Sequence, residues 1–211
     1  MARRAIITSN IKYLKNPDEV NALIHSLKTS DPSSKFCLRN LAMFQVAIYC
    51  GLRASEVGMI RLSDYDPKDQ TIYCRRLKGS VNNQLRIIDP KVSEVLNLYY
   101  DSRMEQRKCK LTYVGKSEYL FISKTGKPVD RRTLDRLMKF YCSFTPIDRE
   151  KWHFHVLKHT RAMQLIETPG IDIRDVQWWL GHKNIANTMI YLNYSVNAQK
   201  QLYDKLINQI R

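Results

Sequence analysis

Apolar residues recur every three to four positions along most of this chain, and the rhythm breaks at glycine, proline or polar clusters. The first such face carries Val20, Leu23, Ile24 and Leu27. It follows Asn16-Pro17-Asp18-Glu19, which combines a capping side chain, a proline at the first helical position and two first-turn acids. Residues 29–35 are polar and predict a loop. A more apolar helix is predicted over 36–50, stopped by Gly51. Ser55 is placed to cap a short helix carrying Val57, Ile60 and Leu62, which sets Arg53 at a corner between two helices. The pattern predicts two strands at 71–77 and 84–88, around the polar loop 78–83 that begins with Lys78.

Helical periodicity returns after Asp89-Pro90 and predicts a helix to about Lys108, with Val92, Val95, Leu96 and Tyr99 inward. Residues 119–122 read as a short strand, 124–127 as a turn, and 131–141 as another helix. Three further helices are predicted: 155–168, broken by Pro169-Gly170; 172–180, stopped by Gly181; and 184–191. A final helix over 197–210 aligns Leu202, Leu206 and Ile210. The fold class predicted is mainly α with a small antiparallel β-sheet (α+β). No internal repeat is present, and 211 residues suit one good core.

Charge changes the picture. Lys and Arg outnumber Asp and Glu by 35 to 20, a formal charge of +15. Such an excess points to a polyanion partner, nucleic acid first and an anionic membrane second. The exposed face predicted for 131–141 concentrates Arg131, Arg132, Arg136 and Lys139, a stripe suited to phosphate contacts. Five scattered cysteines (Cys37, Cys50, Cys74, Cys109 and Cys142), with no CxxC pair, predict a reducing compartment and no disulfide framework. No secretory leader or membrane-length apolar run is evident, so a soluble cytoplasmic protein is expected.

Candidate chemistry gathers near the end of the chain. His153, His155 and His159 cluster, and the latter two share a helix face. No acidic or cysteine ligand lies nearby at useful spacing, and the glutamate of an HExxH pair is missing, which disfavours a metal. No GxSxG elbow supports a serine nucleophile. Tyr191 is a chemically reasonable nucleophile if cations surround it, because a phenol of ordinary pKa near 10 must lose its proton as it attacks.

The residues in order resemble the tyrosine recombinases, the superfamily of the lambda integrase, Xer and Cre proteins. Gly51-Leu-Arg53-Ala-Ser-Glu56 is similar to the first motif, and Lys78 matches the strand-loop lysine. His155-Val-Leu-Lys158-His159-Thr resembles the HxLRH motif, Leu180-Gly181-His182 the LGH motif, and Tyr191 falls nine residues beyond His182. The resemblance implies a catalytic-domain fold and a site of Arg53, Lys78, His155, Lys158, His182 and Tyr191. In that site Tyr191 is the nucleophile, Lys78 the acid for the leaving 5′ oxygen and His155 the acid/base or phosphate-binding group, with no metal or nucleotide cofactor. It further implies double-stranded DNA as partner, a homo-tetramer on two DNA sites, and accessory DNA-bending proteins in some reactions. Tyr194 is the second choice of nucleophile.

Two departures stand out. Lysine at 158 occupies the family's second arginine position, keeping the charge but losing the planar fork; His159 or Arg161 is the expected partial substitute. Arg53 also comes early, leaving no room for a separate N-terminal DNA-binding domain. This layout resembles the compact fimbrial phase-variation invertases, unless the sequence is a piece of a longer chain. The expected organisation is a short basic arm (1–14), a catalytic domain (15–195) and a C-terminal helix (196–211). That helix packs either on its own core or into a neighbouring protomer. Lys158 keeps open a catalytically weak DNA-binding protein of the same fold. A relaxing activity like that of type IB topoisomerases is a further alternative.

Overall fold

Helix α1 (Pro17–Thr29) begins at the capping signal: the Asn16 side chain accepts from the Glu19 N–H at 2.9 Å. The computed structural model describes residues 11–77, 79–192, 195 and 207. Helix α2 (Cys37–Cys50) follows, and nearly all its residues are buried, so it is the axis around which α1 and later helices pack. A helix apolar on all faces belongs in such a place. Gly51 ends it in the left-handed conformation, φ 61°.

The short helix α3 (Ala54–Met59) starts two residues earlier than Ser55 capping predicts. Arg53 takes the N-cap position, and its backbone N–H donates to Glu56 at 2.8 Å. Strands β1 (Tyr65–Asp66), β2 (Thr71–Cys74) and β3 (Asn83–Arg86) form an antiparallel sheet in that order, with Ile72 opposite Leu85 and Cys74 opposite Asn83. The hairpin strands are shorter than predicted because side chains take the next backbone donors. The Arg76 N–H goes to Asn82 Oδ1 at 2.7 Å, and the Leu77 N–H to Glu56 Oε1 at 3.2 Å.

Helix α4 (Pro90–Lys108) packs on α2 through Val92, Leu96 and Tyr99, and a short α5 (Tyr113–Lys116), absent from the sequence reading, follows. Residues 119–122 do not form the predicted strand: Leu120 and Phe121 bend between bridges at Tyr119 and Ile122. Leu120 bonds to Ile60 on one side and Val129 to Phe121 on the other, leaving isolated bridges. Helices α6 (Arg131–Cys142), α7 (Val156–Glu167), α8 (Ile173–Leu180) and α9 (Ala186–Leu192) complete the described fold. The main core is centred on α2. A smaller apolar cluster joins Met163 and Ile166 of α7, Val176 and Leu180 of α8, and Tyr191 of α9. Most of the predicted arm and of the 197–210 helix lies outside the described residues, as does Tyr194.

Candidate active site

The turn at Gly51 presses against the end of α8: a Cβ there would stand 2.5 Å from Leu180 Cδ2. Arg53 leaves this corner with its side chain 38% exposed, donating to Glu56 Oε1 at 2.7 Å and to Ser80 Oγ at 3.1 Å. Glu56 is fully buried and also faces Arg76 Nη1 at 3.5 Å. Burial alone would raise the Glu56 pKa. Lys158, the Arg53 backbone N–H, Arg76 and the Arg53 side chain together outweigh it and hold the carboxyl below its usual range. The Arg76 guanidinium is wholly enclosed, donating to the carbonyls of Cys50, Gly51 and Trp179 and to Asn83.

The loop of the β2–β3 hairpin is stitched to the turn after α8. Gly181 adopts φ 65°, its carbonyl accepts from the Val81 N–H at 2.8 Å, and Ser80 forms a backbone bridge with His182. Lys78 itself lies outside the described residues. Leu77 on one side of it is tied to Glu56, and Ser80 on the other to Arg53 and His182.

Helix α7 supplies three groups from its first turn. His155 stands at the N-cap, Lys158 follows three residues on, and His159 one residue later. Lys158 is buried and its Nζ donates to the Leu180 carbonyl at 3.2 Å. His182 Nδ1 lies 2.9 Å from Thr188 Oγ1, a bond that fixes its ring. Tyr191, only 2% exposed, has its Oη 2.9 Å from His159 Nδ1. Arg53, His155, Lys158, His159, His182 and Tyr191 line one cleft of about 330 Å³, with Asn187 and Ile190 at its wall.

Burial sets the protonation states here. It pushes the Tyr191 phenol up to about 12, with Arg53 acting the other way. It brings Lys158 down to about 7, opposed by Glu56 and reinforced by Arg53 and Arg76. His159 falls to about 4 and His182 to about 3, through burial first and the neighbouring cations after it. His155 is also lowered, by burial and then by His153. The cleft therefore holds a permanent guanidinium, an ammonium poised near neutrality, three uncharged imidazoles at pH 7 and a protonated phenol. Such a set can bind a tetrahedral anion and present an oxygen nucleophile to it.

Five of the six catalytic residues expected from sequence thus share one cleft. Of the four basic residues on α6, Arg131 comes to the site: a second hollow of about 230 Å³ is lined by Arg131, Asp135 and Ser55 and shares Arg53 and His155 with the first. Arg132, Arg136 and Lys139 are exposed on α6 and line neither hollow. Arg161 does not compensate for Lys158. Its guanidinium lies over the rings of Tyr49 (4.8 Å) and Trp179 (4.7 Å), which hold it away from the cleft. Sequence reasoning missed the supporting roles of Arg76, Asn83, Ser80 and Thr188. They carry no spacing signal, because their partners lie far away in sequence or in loops. Among the described residues no group of three or more His, Cys, Asp or Glu could hold a metal ion.

The model of the phage integrase family matches residues 14–198. The chain belongs to that family. It is 31% identical over 186 residues to tyrosine recombinase XerD of Halalkalibacterium halodurans, covering 88% of this chain and 58% of that protein. It is 29% identical to the XerD of Yersinia pestis, covering 89% and 59%. The chain thus spans under two thirds of the length of these curated relatives. Among solved structures, the XerA recombinase superposes with a TM-score of 0.72 at 30% identity, over 92% of this chain and 64% of that one. XerH bound to its palindromic difH substrate, in a post-cleavage complex, superposes with a TM-score of 0.73 at 19% identity, over 92% and 52%. The first is a family relative in sequence and fold. The second shares the fold: mainly helical with a small antiparallel sheet, as predicted.

Proposed function

We propose that this chain is a tyrosine site-specific recombinase: it breaks and rejoins double-stranded DNA through a 3′-phosphotyrosyl intermediate. The observation that carries this reading is the convergence of Arg53, His155, Lys158 and His182 on the cleft that contains the Tyr191 hydroxyl. Tyr191 Oη attacks the scissile phosphorus, the bond to the 5′ oxygen breaks, and the leaving oxygen takes a proton from Lys78. Arg53, Lys158, His155 and His182 stabilise the charge that develops on the non-bridging oxygens. Attack by a 5′ hydroxyl of the partner strand reverses the step, so bond energy is conserved without a nucleotide or metal. Arg131 extends the cationic surface from the cleft onto α6, where Arg132, Arg136 and Lys139 follow the DNA backbone. The working assembly is four protomers on two DNA sites, with the 196–211 segment exchanged between neighbours.

Lys158 favours a second reading, a DNA-binding protein of this fold with weak or no cleavage, because its ammonium donates to Leu180 rather than forking across two phosphate oxygens. The test is to incubate the protein with nicked duplexes selected for binding from random sequence, and to look for covalent complexes on denaturing gels. An adduct with the wild type and none with Tyr191→Phe supports the recombinase. Tight binding without an adduct supports the second reading.

A further inference from the structure

Lys78 and the groups around the phosphate account for the leaving oxygen and the developing charge; the proton on the Tyr191 hydroxyl needs an acceptor in contact with it. The phenol stays protonated at neutral pH, so its proton must depart as the oxygen bonds to phosphorus. Three histidines line the cleft. His182 is held through Nδ1 by Thr188, at 2.9 Å. His155 caps α7, its ring stacked on His153 at 5.7 Å. His159 is the one of the three whose ring nitrogen lies within hydrogen-bond distance of Tyr191 Oη, at 2.9 Å. A heavy-atom separation of about 2.6 to 3.2 Å is the geometric requirement for a general base.

We infer that His159, accepting at Nδ1, takes the proton of Tyr191 during strand cleavage and returns it on rejoining. This deepens the recombinase reading and rests on it. As Tyr191 Oη bonds to phosphorus, its proton passes to His159 Nδ1 and an imidazolium forms. The bond from phosphorus to the 5′ oxygen breaks, and that oxygen is protonated by Lys78. On rejoining, a 5′ hydroxyl attacks, the phosphotyrosyl bond breaks, and the imidazolium gives its proton back to the departing phenolate.

The helical register explains why this histidine is available. His159 sits one turn beyond His155 on α7, their rings edge to face at 5.5 Å, and the α9 side chain of Tyr191 packs over it. The charged and titratable groups around it are His155 at the start of α7, Lys158 on α7, Arg53 at the start of α3, and Tyr191 on α9. Burial and these cations keep the imidazole neutral, and therefore able to accept, in the absence of DNA. A bound phosphate brings negative charge to the same cleft and makes the imidazolium easier to form.

The test follows covalent adduct formation on the selected nicked duplexes from pH 4 to 9, for the wild type, His159→Ala and His159→Asn. Asparagine can place an acceptor near the Nδ1 position without offering a base, and it guards against a folding failure of the alanine variant. DNA binding by both variants is measured in parallel. The inference expects binding within threefold of wild type, adduct formation slower by about a hundredfold or more at pH 7 in both variants, and loss of the wild-type rise on the acid side of the pH profile. A His159→Asn rate near wild type with a slow His159→Ala reduces His159 to a positioning residue and overturns the inference. So do rates near wild type in both variants. If the wild type itself binds but forms no adduct, the recombinase reading falls first and this one with it.

Discussion

Glu56 holds Arg53 twice, through its backbone N–H at 2.8 Å and through its guanidinium at 2.7 Å. One fully buried carboxylate therefore sets both where the first motif begins and where its charge points. Its second charge partner, Arg76, ties the same carboxylate to the end of α8. Glu56→Gln should leave these cations short of their counter-charge. Stability should fall by about 3 kcal/mol, the scale for breaking one side of a buried pair, as read from urea midpoints at pH 7. The pH dependence has a definite sign. A carboxyl held below its ordinary value stabilises the fold above that value, and the contribution is lost as acid protonates it. Urea midpoints of the wild type should drop below the ordinary glutamate range, and Glu56→Gln should lack that component.

Lys158 titrates near 7, so its charge fades as pH rises through neutrality in the DNA-free protein. Cleavage by the wild type, measured as the second-order rate of adduct formation, should decline on the alkaline side. Lys158→Arg supplies a fork that keeps its charge. It should raise cleavage at pH 8 by about tenfold, the scale of a gained charge-assisted hydrogen bond. An unchanged rate would mean that position 158 does not meet the phosphate.

Tyr191→Phe removes the nucleophile and one hydrogen bond in a buried setting. Covalent adducts should vanish, while duplex affinity stays within twofold and stability falls by about 1 kcal/mol. Adducts that persist would implicate Tyr194.

At Gly181 the left-handed backbone, φ 65°, and the 2.5 Å gap between an added Cβ and the Val81 carbonyl both exclude a side chain. Gly181→Ala should cost about 2 kcal/mol in thermal unfolding. It should also slow cleavage more than binding, because the displaced backbone is the one joined to the hairpin loop.

The basic face of α6 gives a salt-linked expectation. Replacing Arg132, Arg136 and Lys139 by alanine together should weaken DNA binding and flatten the plot of log affinity against log salt, by up to about 0.9 per lost phosphate contact. No change in slope would remove α6 from the interface. Arg131→Ala should instead lower the cleavage rate as well, since Arg131 borders the cleft itself.

Much of this site was readable in the chain. The glycine stops at Gly51 and Gly181, the capped start at Asn16 and the helix over His155 and His159 each depend on neighbours a few residues apart. Local rules therefore placed them. The family motifs then named five side chains that meet in space. What escaped depended on distant partners. The hairpin strands end early because Glu56 and Asn82 claim the donors of Leu77 and Arg76, which no alternating pattern reveals. The run at 119–122 divides its bonds between two neighbours and so never becomes a strand. Arg161 looked free to serve the site, but the rings of Tyr49 and Trp179, far apart in sequence, hold it elsewhere.

The backbone bond between Val81 and Gly181 joins two segments a hundred positions apart. The separate halves of the site thus meet only when the long-range topology has closed. A chain caught with its helices formed but this seam still open would hold Arg53 and Tyr191 without their common frame.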